Sequence, residues 1–338
     1  MGQRGPIYEK VEYVLARLLA TAVTGFEVEQ SQKTARFIGA QFDRFDAKHR
    51  KRAQHNIRLC FPEWTDAQVA LCAKKSTQHL IQLAFETLHT PRVLNRDSWP
   101  NHIKMVNLGP AIDLLNSDEP TILLTAHQGN WEVLGYLLAL LGYDMDTIAR
   151  PLDNNLINDW LLGIREKQGM RIVTKWDATD RMVSVLERGG ALAFTADQNA
   201  GDKGTFVPFF GRLASTYKSI GLLAMKHNAP VVCGYAHRIA QDFRFEMGIT
   251  DIIRPEEWES QPNPLYYITA RYCRAFETMV RDRPDQFLWS HRRWKSRPRH
   301  EKNGKPIPKA LRHNLEGLPW MTDDLMRQLE NPPPLYTA

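Results

Sequence analysis

Six consecutive residues, His127-Gln128-Gly129-Asn130-Trp131-Glu132, bring an imidazole and a carboxylate close together in the chain. An imidazole can take a proton from a hydroxyl near neutral pH. A carboxylate against its second nitrogen fixes the tautomer, orients the ring and stabilises the imidazolium that forms. The short apolar run at 121–125 reads as a buried strand entering this segment. His127 is therefore expected in the turn and Glu132 in the first helical turn, with its carboxylate in contact with the imidazole. Gly129 allows close backbone approach, and free N–H groups at the helix start could hold developing negative charge. On residue types alone, a structural histidine beside a surface glutamate satisfies the same pattern. No HExxH or neighbouring histidine cluster supplies further metal ligands, and no GxSxG elbow supplies a serine nucleophile. A His–carboxylate pair without its own nucleophile points to a substrate alcohol as the attacking group.

The elements that must position this pair are legible at coarse grain. Residues 6–95 read as helical, with Thr65 or Asp66 capping a helix at 66–89 whose apolar face carries Val69, Cys72, Leu80, Leu83 and Phe85. From about 101 the texture alternates. Strand candidates fall at 121–125, 147–149, 171–173, 191–195, 230–237 and 243–249, with helices at 131–141, 154–168, 178–188, 215–227 and 263–282. That alternation predicts an α/β domain at 101–300 with a mainly parallel central sheet flanked by helices. The helical N-terminal region is set at 1–100. The proline-rich segment 301–338 is expected to be irregular chain laid over the surface.

The motif matches HxxxxD/E of the glycerolipid acyltransferases, and the chain resembles their lipid A late acyltransferase (lauroyl/myristoyl) branch. The likeness extends in order from about 45 to 298. It includes Asn56 to Glu63, Arg150-Pro151 with Asn154, Asn155, Arg165 and Gly169, Asp197-Gln198 with 207–211 and 214–216, and Trp289 to Trp294. This resemblance implies O-acyl transfer from acyl carrier protein or coenzyme A to a membrane lipid hydroxyl, with His127 as general base, Glu132 orienting it, and no cofactor. It implies that Arg150 steadies an oxyanion or acceptor phosphate and that Asp197 supports the site. Gln198, Gly211 and Arg212 fall in a matching stretch expected to be a loop shaping the acceptor pocket. There Lys203, Arg212 and Lys218 would offer charge to phosphates, and Phe206, Phe209 and Phe210 would line an acyl channel or fill the core. Phosphatidylinositol mannoside or aminolipid acylation, and thioester hydrolysis, are the alternatives.

Composition agrees with an ordinary globular chain. Of 338 residues 43% are hydrophobic and 24% charged, which excludes wholesale disorder. A net charge of +6 suits an anionic partner such as a lipid head group or an acidic carrier. The run from His291 to His300 is the expected docking segment, and no nucleic-acid motif is present. Four cysteines without CxxC spacing argue against a zinc site or disulfide framework. Glu9, Glu12 and Arg17 interrupt any signal-peptide core. Val11, Val14, Leu15, Leu18, Leu19 and Ala22 form a helical stripe that either packs on the protein's own core or lies in a membrane interface. Members of the resembled branch usually carry a membrane-spanning anchor, whereas only this short amphipathic stretch is found here, so peripheral attachment at the cytoplasmic face of the inner membrane is the expectation.

Overall fold

The computed structural model describes residues 5–149, 151–166, 169–174 and 178–332. The N-terminal region is helical as expected: α1 (Pro6–Thr24), α2 (Val28–Phe45), α3 (Ala47–Cys60) and α4 (Asp66–Val93). Asp46 caps α3 by accepting from the His49 N–H. Thr65 and Gln68 close a capping box that starts α4, satisfying two orphan donors reciprocally.

The alternating region then runs β1 (Ile103–Val106), α5 (Gly109–Leu115), β2 (Thr121–Thr125), α6 (Trp131–Leu140), β3 (Met145–Ala149), α7 (Asn155–Glu166), β4 (Arg171–Thr174), α8 (Ala178–Glu187) and β5 (Ala191–Thr195). A hairpin of β6 (Thr205–Phe209) and β7 (Arg212–Thr216) precedes α9 (Ser219–His227), β8 (Val231–Arg238), β9 (Phe245–Ile253), α10 (Pro255–Glu259) and α11 (Pro264–Asp282).

Among the described residues, seven strands form one sheet in the order β1-β9-β8-β2-β5-β3-β4. The expected mainly parallel sheet is borne out: β8, β2, β5, β3 and β4 all run the same way. β9 pairs antiparallel with β8 and parallel with β1, so that edge runs opposite. One face packs on α9 and α11 through Ile122, Leu192, Val231, Tyr272, Phe276 and Trp289. The other packs on α6 through Val133, Leu137, Leu140, Met145 and Met247. β2 is central and covered on both faces, which is why its sequence is a continuous apolar run rather than an alternating one.

The structure departs from the sequence expectations in three places and, for the α1 stripe, rules out one of the two readings left open. The segment after 301 is not irregular, because α12 (Arg299–Lys302), α13 (Lys309–Glu316) and α14 (Asp323–Glu330) form there. Pro298 and Pro308 occupy the N-caps of α12 and α13, where a missing N–H costs nothing. Leu315, Leu318 and Leu329 are buried in the main core. Second, the expected pocket loop holds the β6–β7 hairpin. Phe210 and Gly211 both take positive φ, 51° and 64°, the two-residue turn that suits strand twist. Phe209 and Phe210 fill the core, Phe210 edge-on to Phe61 at 5.5 Å.

The α1 stripe does not pack inward. Val11, Val14, Leu15, Leu18 and Leu19 are exposed, while Ala20 and Val23 are buried. Third, Leu80 is exposed and α4 turns His79, Gln82 and Glu86 inward instead. Among the described residues no helix is long and apolar enough to cross a membrane.

Candidate active site

β2 and β5 are parallel neighbours, and their register pairs Thr125 with Thr195. His127 and Asp197 each lie two residues beyond that pair, so they leave the sheet side by side at its carboxyl edge. Asp197 Oδ1 accepts from His127 twice, from the backbone N–H at 3.0 Å and from Nδ1 at 2.6 Å. The Asp197 side chain is 3% exposed and that of His127 21%, so the ring is reachable on one side only. Trp131 meets the imidazole edge-on at 4.9 Å. Nδ1 is committed to the carboxylate, which leaves Nε2 as the basic nitrogen.

Electrostatics favour a base that is charged readily. Burial alone would lower the His127 pKa, but the adjacent Asp197 carboxylate overrides it and the net direction is upward. Burial would likewise raise Asp197, and the facing imidazole instead holds it below the usual carboxylate range. His291 stands in the same neighbourhood, its Nε2 accepting from the Asn199 N–H at 3.1 Å. Burial pushes it down to about 4, so it is neutral at physiological pH.

Glu132 lies elsewhere than expected, and this is the main correction at the site. Its carboxylate accepts from Arg165 of α7 at both oxygens, Nε to Oε2 at 2.8 Å and Nη2 to Oε1 at 2.6 Å. Two parallel charge-assisted bonds of this kind hold strongly. The physical reason is competition for Nδ1: the parallel register presents Asp197 to it, while Glu132 sits at the second position of α6 and faces α7. Glu132 and Arg165 line a small cavity with Thr87, Thr90, Tyr136, Ile164 and Met170. Arg165 was legible as part of a motif block, but nothing in its spacing revealed a carboxylate partner 33 residues away.

The other expected residues separate into groups. Gln198 does join the site, with Nε2 3.5 Å from His127 Nε2. That spacing is long for a hydrogen bond. Arg150 lies outside the described residues. Arg212 is buried at 2% exposure, 3.8 Å from Glu301, and burial pushes its pKa down to about 10. It is a core cation beside Arg297, not a free phosphate ligand. Gly211 serves the hairpin turn, against Gln328 of α14. Arg212 opens β7, whose far end Thr216 meets the site through Arg293, so it stands roughly 13 Å away along the strand.

The basic run from His291 to His300 is likewise partly internal. Arg293 is 2% exposed and donates to the Ser215 carbonyl at 2.5 Å and to Thr216 Oγ1 at 2.7 Å. Arg297 is buried against the Leu213 carbonyl and Glu301. Only Arg292, Lys295 and Arg299 of its arginines and lysines face solvent. Sequence shows the charges but not the backbone carbonyls that take them inside. The Asn56–Glu63 segment is structural too: Asn56 donates to the Trp289 carbonyl at 2.8 Å, and Phe61 stacks on Trp64.

Comparison with known proteins shows the family. A family model described as bacterial lipid A biosynthesis acyltransferase matches residues 6–296. A lipid A biosynthesis acyltransferase of Haemophilus influenzae is 23% identical over 245 residues, covering 72% of this chain and 74% of the relative. A lipid A biosynthesis palmitoleoyltransferase of Escherichia coli is 24% identical over 270 residues, covering 77% and 83% respectively. A lipid A biosynthesis myristoyltransferase of Escherichia coli is 22% identical over 269 residues, covering 76% and 77%. With nearly the whole chain matched, the protein is an acyltransferase and belongs to the bacterial lipid A biosynthesis acyltransferase family.

Proposed function

We propose that the protein moves a fatty acyl group from an acyl thioester, on acyl carrier protein or coenzyme A, to a hydroxyl of a lipid A-type glycolipid, without a cofactor. The observation that carries this reading is His127, tied at Nδ1 to buried Asp197 with Nε2 left as its basic nitrogen and the side chain 21% exposed. Nε2 takes the proton of the acceptor hydroxyl as its oxygen attacks the thioester carbonyl. The tetrahedral intermediate collapses with loss of the thiolate, which recovers the proton from the imidazolium. Orientation of the imidazole is thus assigned to Asp197, and Glu132 is given a different task. It holds the Arg165 guanidinium in a fixed fork from which remaining N–H groups can face the oxyanion or an acceptor phosphate.

Attachment to the bilayer is assigned to the exposed apolar stripe of α1, helped by Phe37, Phe42 and Phe45 of α2. This gives a peripheral protein at the cytoplasmic face of the inner membrane. The cationic residues of α3, Lys48, Arg50 and Lys51, would add attraction to anionic head groups.

The test supplies purified protein with acyl thioester in the presence and absence of a lipid A precursor. Acylated lipid, dependent on the acceptor, is the expected product. Free fatty acid at the same rate in both arms would indicate hydrolysis and overturn the proposal. A second expectation concerns the ion pair. Glu132→Ala and Arg165→Ala each lower kcat/KM by about 10²-fold, and the double variant falls little further because each change removes the same unit. Independent, additive losses would show that the two residues act separately.

A further inference from the structure

The turn carrying His127 is gripped from behind by a buried polar cluster that the chemistry above does not use. Glu86 of α4 is fully buried and Arg238, at the end of β8, is 8% exposed. Arg238 donates from Nε and Nη2 to the two Glu86 oxygens, each at 2.6 Å. Its Nη1 donates to His79 Nδ1 at 2.8 Å. Arginine has no acceptor, so this bond makes Nδ1 the bare nitrogen of His79 and Nε2 its N–H. Nε2 then donates to the Gly129 carbonyl at 3.0 Å. Burial, reinforced by Arg238, holds the His79 pKa well below the ordinary range, so the ring stays neutral.

Glu86 reaches the motif by a second route. Its Oε2 accepts from Asn130 Nδ2 at 2.7 Å, which turns Asn130 Oδ1 toward α6. There Oδ1 accepts from the Val133 N–H at 2.9 Å and caps the helix that carries Glu132. The opposite side of the turn is tied as well. Gly129 N–H donates to the Gln286 carbonyl at 3.1 Å and Asn130 N–H to the Ala236 carbonyl at 2.7 Å. Gly129 sits at φ +61°, and a Cβ there would overlap the Ala236 carbonyl. Gln286 closes the ring by exchanging bonds with the Arg238 backbone at 2.9 Å and 2.8 Å.

We propose that His79, Glu86 and Arg238 are positioning residues that hold the His127 turn and the α6 cap in catalytic geometry. The inference rests on the acyl-transfer reading. A well-packed apolar core would stabilise α4 against β8 as well as a buried ion pair does, because desolvation offsets much of the Coulomb attraction. What an apolar core would not do is fix a carbonyl and an amide flip within reach of the base. Fully satisfied polar networks specify geometry in this way.

The experiment compares His79→Leu, which removes the donor to Gly129, with His79→Gln, which returns an N–H near the position of Nε2. In His79→Leu kcat is expected to fall about ten- to a hundredfold with KM for both substrates within about twofold. His79→Gln should recover most of the loss, which a merely structural contact would not predict. Hydrogen exchange of the peptide containing Gly129 and Asn130 should quicken roughly tenfold in His79→Leu while α11 keeps its protection. Glu86→Gln keeps the shape of the side chain, so it should fold if His79→Leu does not, and should quicken the same peptide. Wild-type kcat, or unchanged exchange at that peptide, in the folded variants overturns the proposal. A wild-type protein that transfers no acyl group would defeat the acyl-transfer reading instead, and the exchange measurement would still decide whether the clamp holds the turn.

Discussion

Substituting alanine for His127 lowers kcat by about 10³-fold or more, with KM for the acyl thioester nearly unchanged. The loss follows from removing Nε2 as the base, since Nδ1 is spent on Asp197. Stability should also fall, by about 1–3 kcal/mol, because Asp197 loses one of two donors while 3% exposed. His127→Asn separates the two effects. Its amide can still donate to Asp197, so the activity loss should persist while most of the stability returns. Measuring transfer rate and thermal midpoint on the same preparations checks both, and a His127→Ala protein with near-normal turnover would remove the imidazole from the mechanism.

The second large effect is expected at Asp197, whose contact with the imidazole the chain's local spacing did not reveal. Asp197→Asn keeps the side chain's shape and removes its charge. The rate should drop about 10²- to 10⁴-fold, as expected when a base loses both tautomer control and imidazolium stabilisation. The pH profile supplies the sign. In the wild type the carboxylate raises His127 despite its burial, so the acid limb of kcat/KM should sit above the ordinary imidazole value of about 6.5. The base works when neutral, hence activity rises with pH through that limb. Without the charge, burial is left to dominate and the limb should move to lower pH. An unshifted limb in Asp197→Asn would mean that a different group titrates.

The same couple makes opposite contributions to stability at its two ends. A raised His127 pKa contributes below the unfolded imidazole value and is lost as pH rises through the folded one. A lowered Asp197 pKa contributes above the unfolded carboxylate value and is lost on acidification. The couple therefore stabilises the fold most between those two limits.

Much of the scaffold was readable because each local signal had a local cause. The centre of β2 at 122–124 is apolar throughout because the strand is buried on both faces, and Thr65 announces α4 because its hydroxyl caps an orphan N–H. The helices of the tail are not legible from its proline content, because Pro298 and Pro308 stand at helix N-caps, where a missing N–H is tolerated. The β6–β7 hairpin was missed because Phe210 takes the left-handed turn position usually given to glycine or asparagine. The inward face of α4 was missed for a related reason. His79, Gln82 and Glu86 look like a solvated stripe until Arg238 and Asn130 arrive to neutralise and cap them.

What the sequence alone determined was the address of the candidate base, an imidazole at the point where a buried strand hands over to a helix. The partner of that base was decided by tertiary structure. Strand order and register are long-range properties, and only when β5 lies beside β2 with Thr195 opposite Thr125 does Asp197 reach Nδ1 ahead of Glu132. Glu132 is then free for Arg165, and a pairing suggested by nearness in the chain gives way to one set by neighbouring strands.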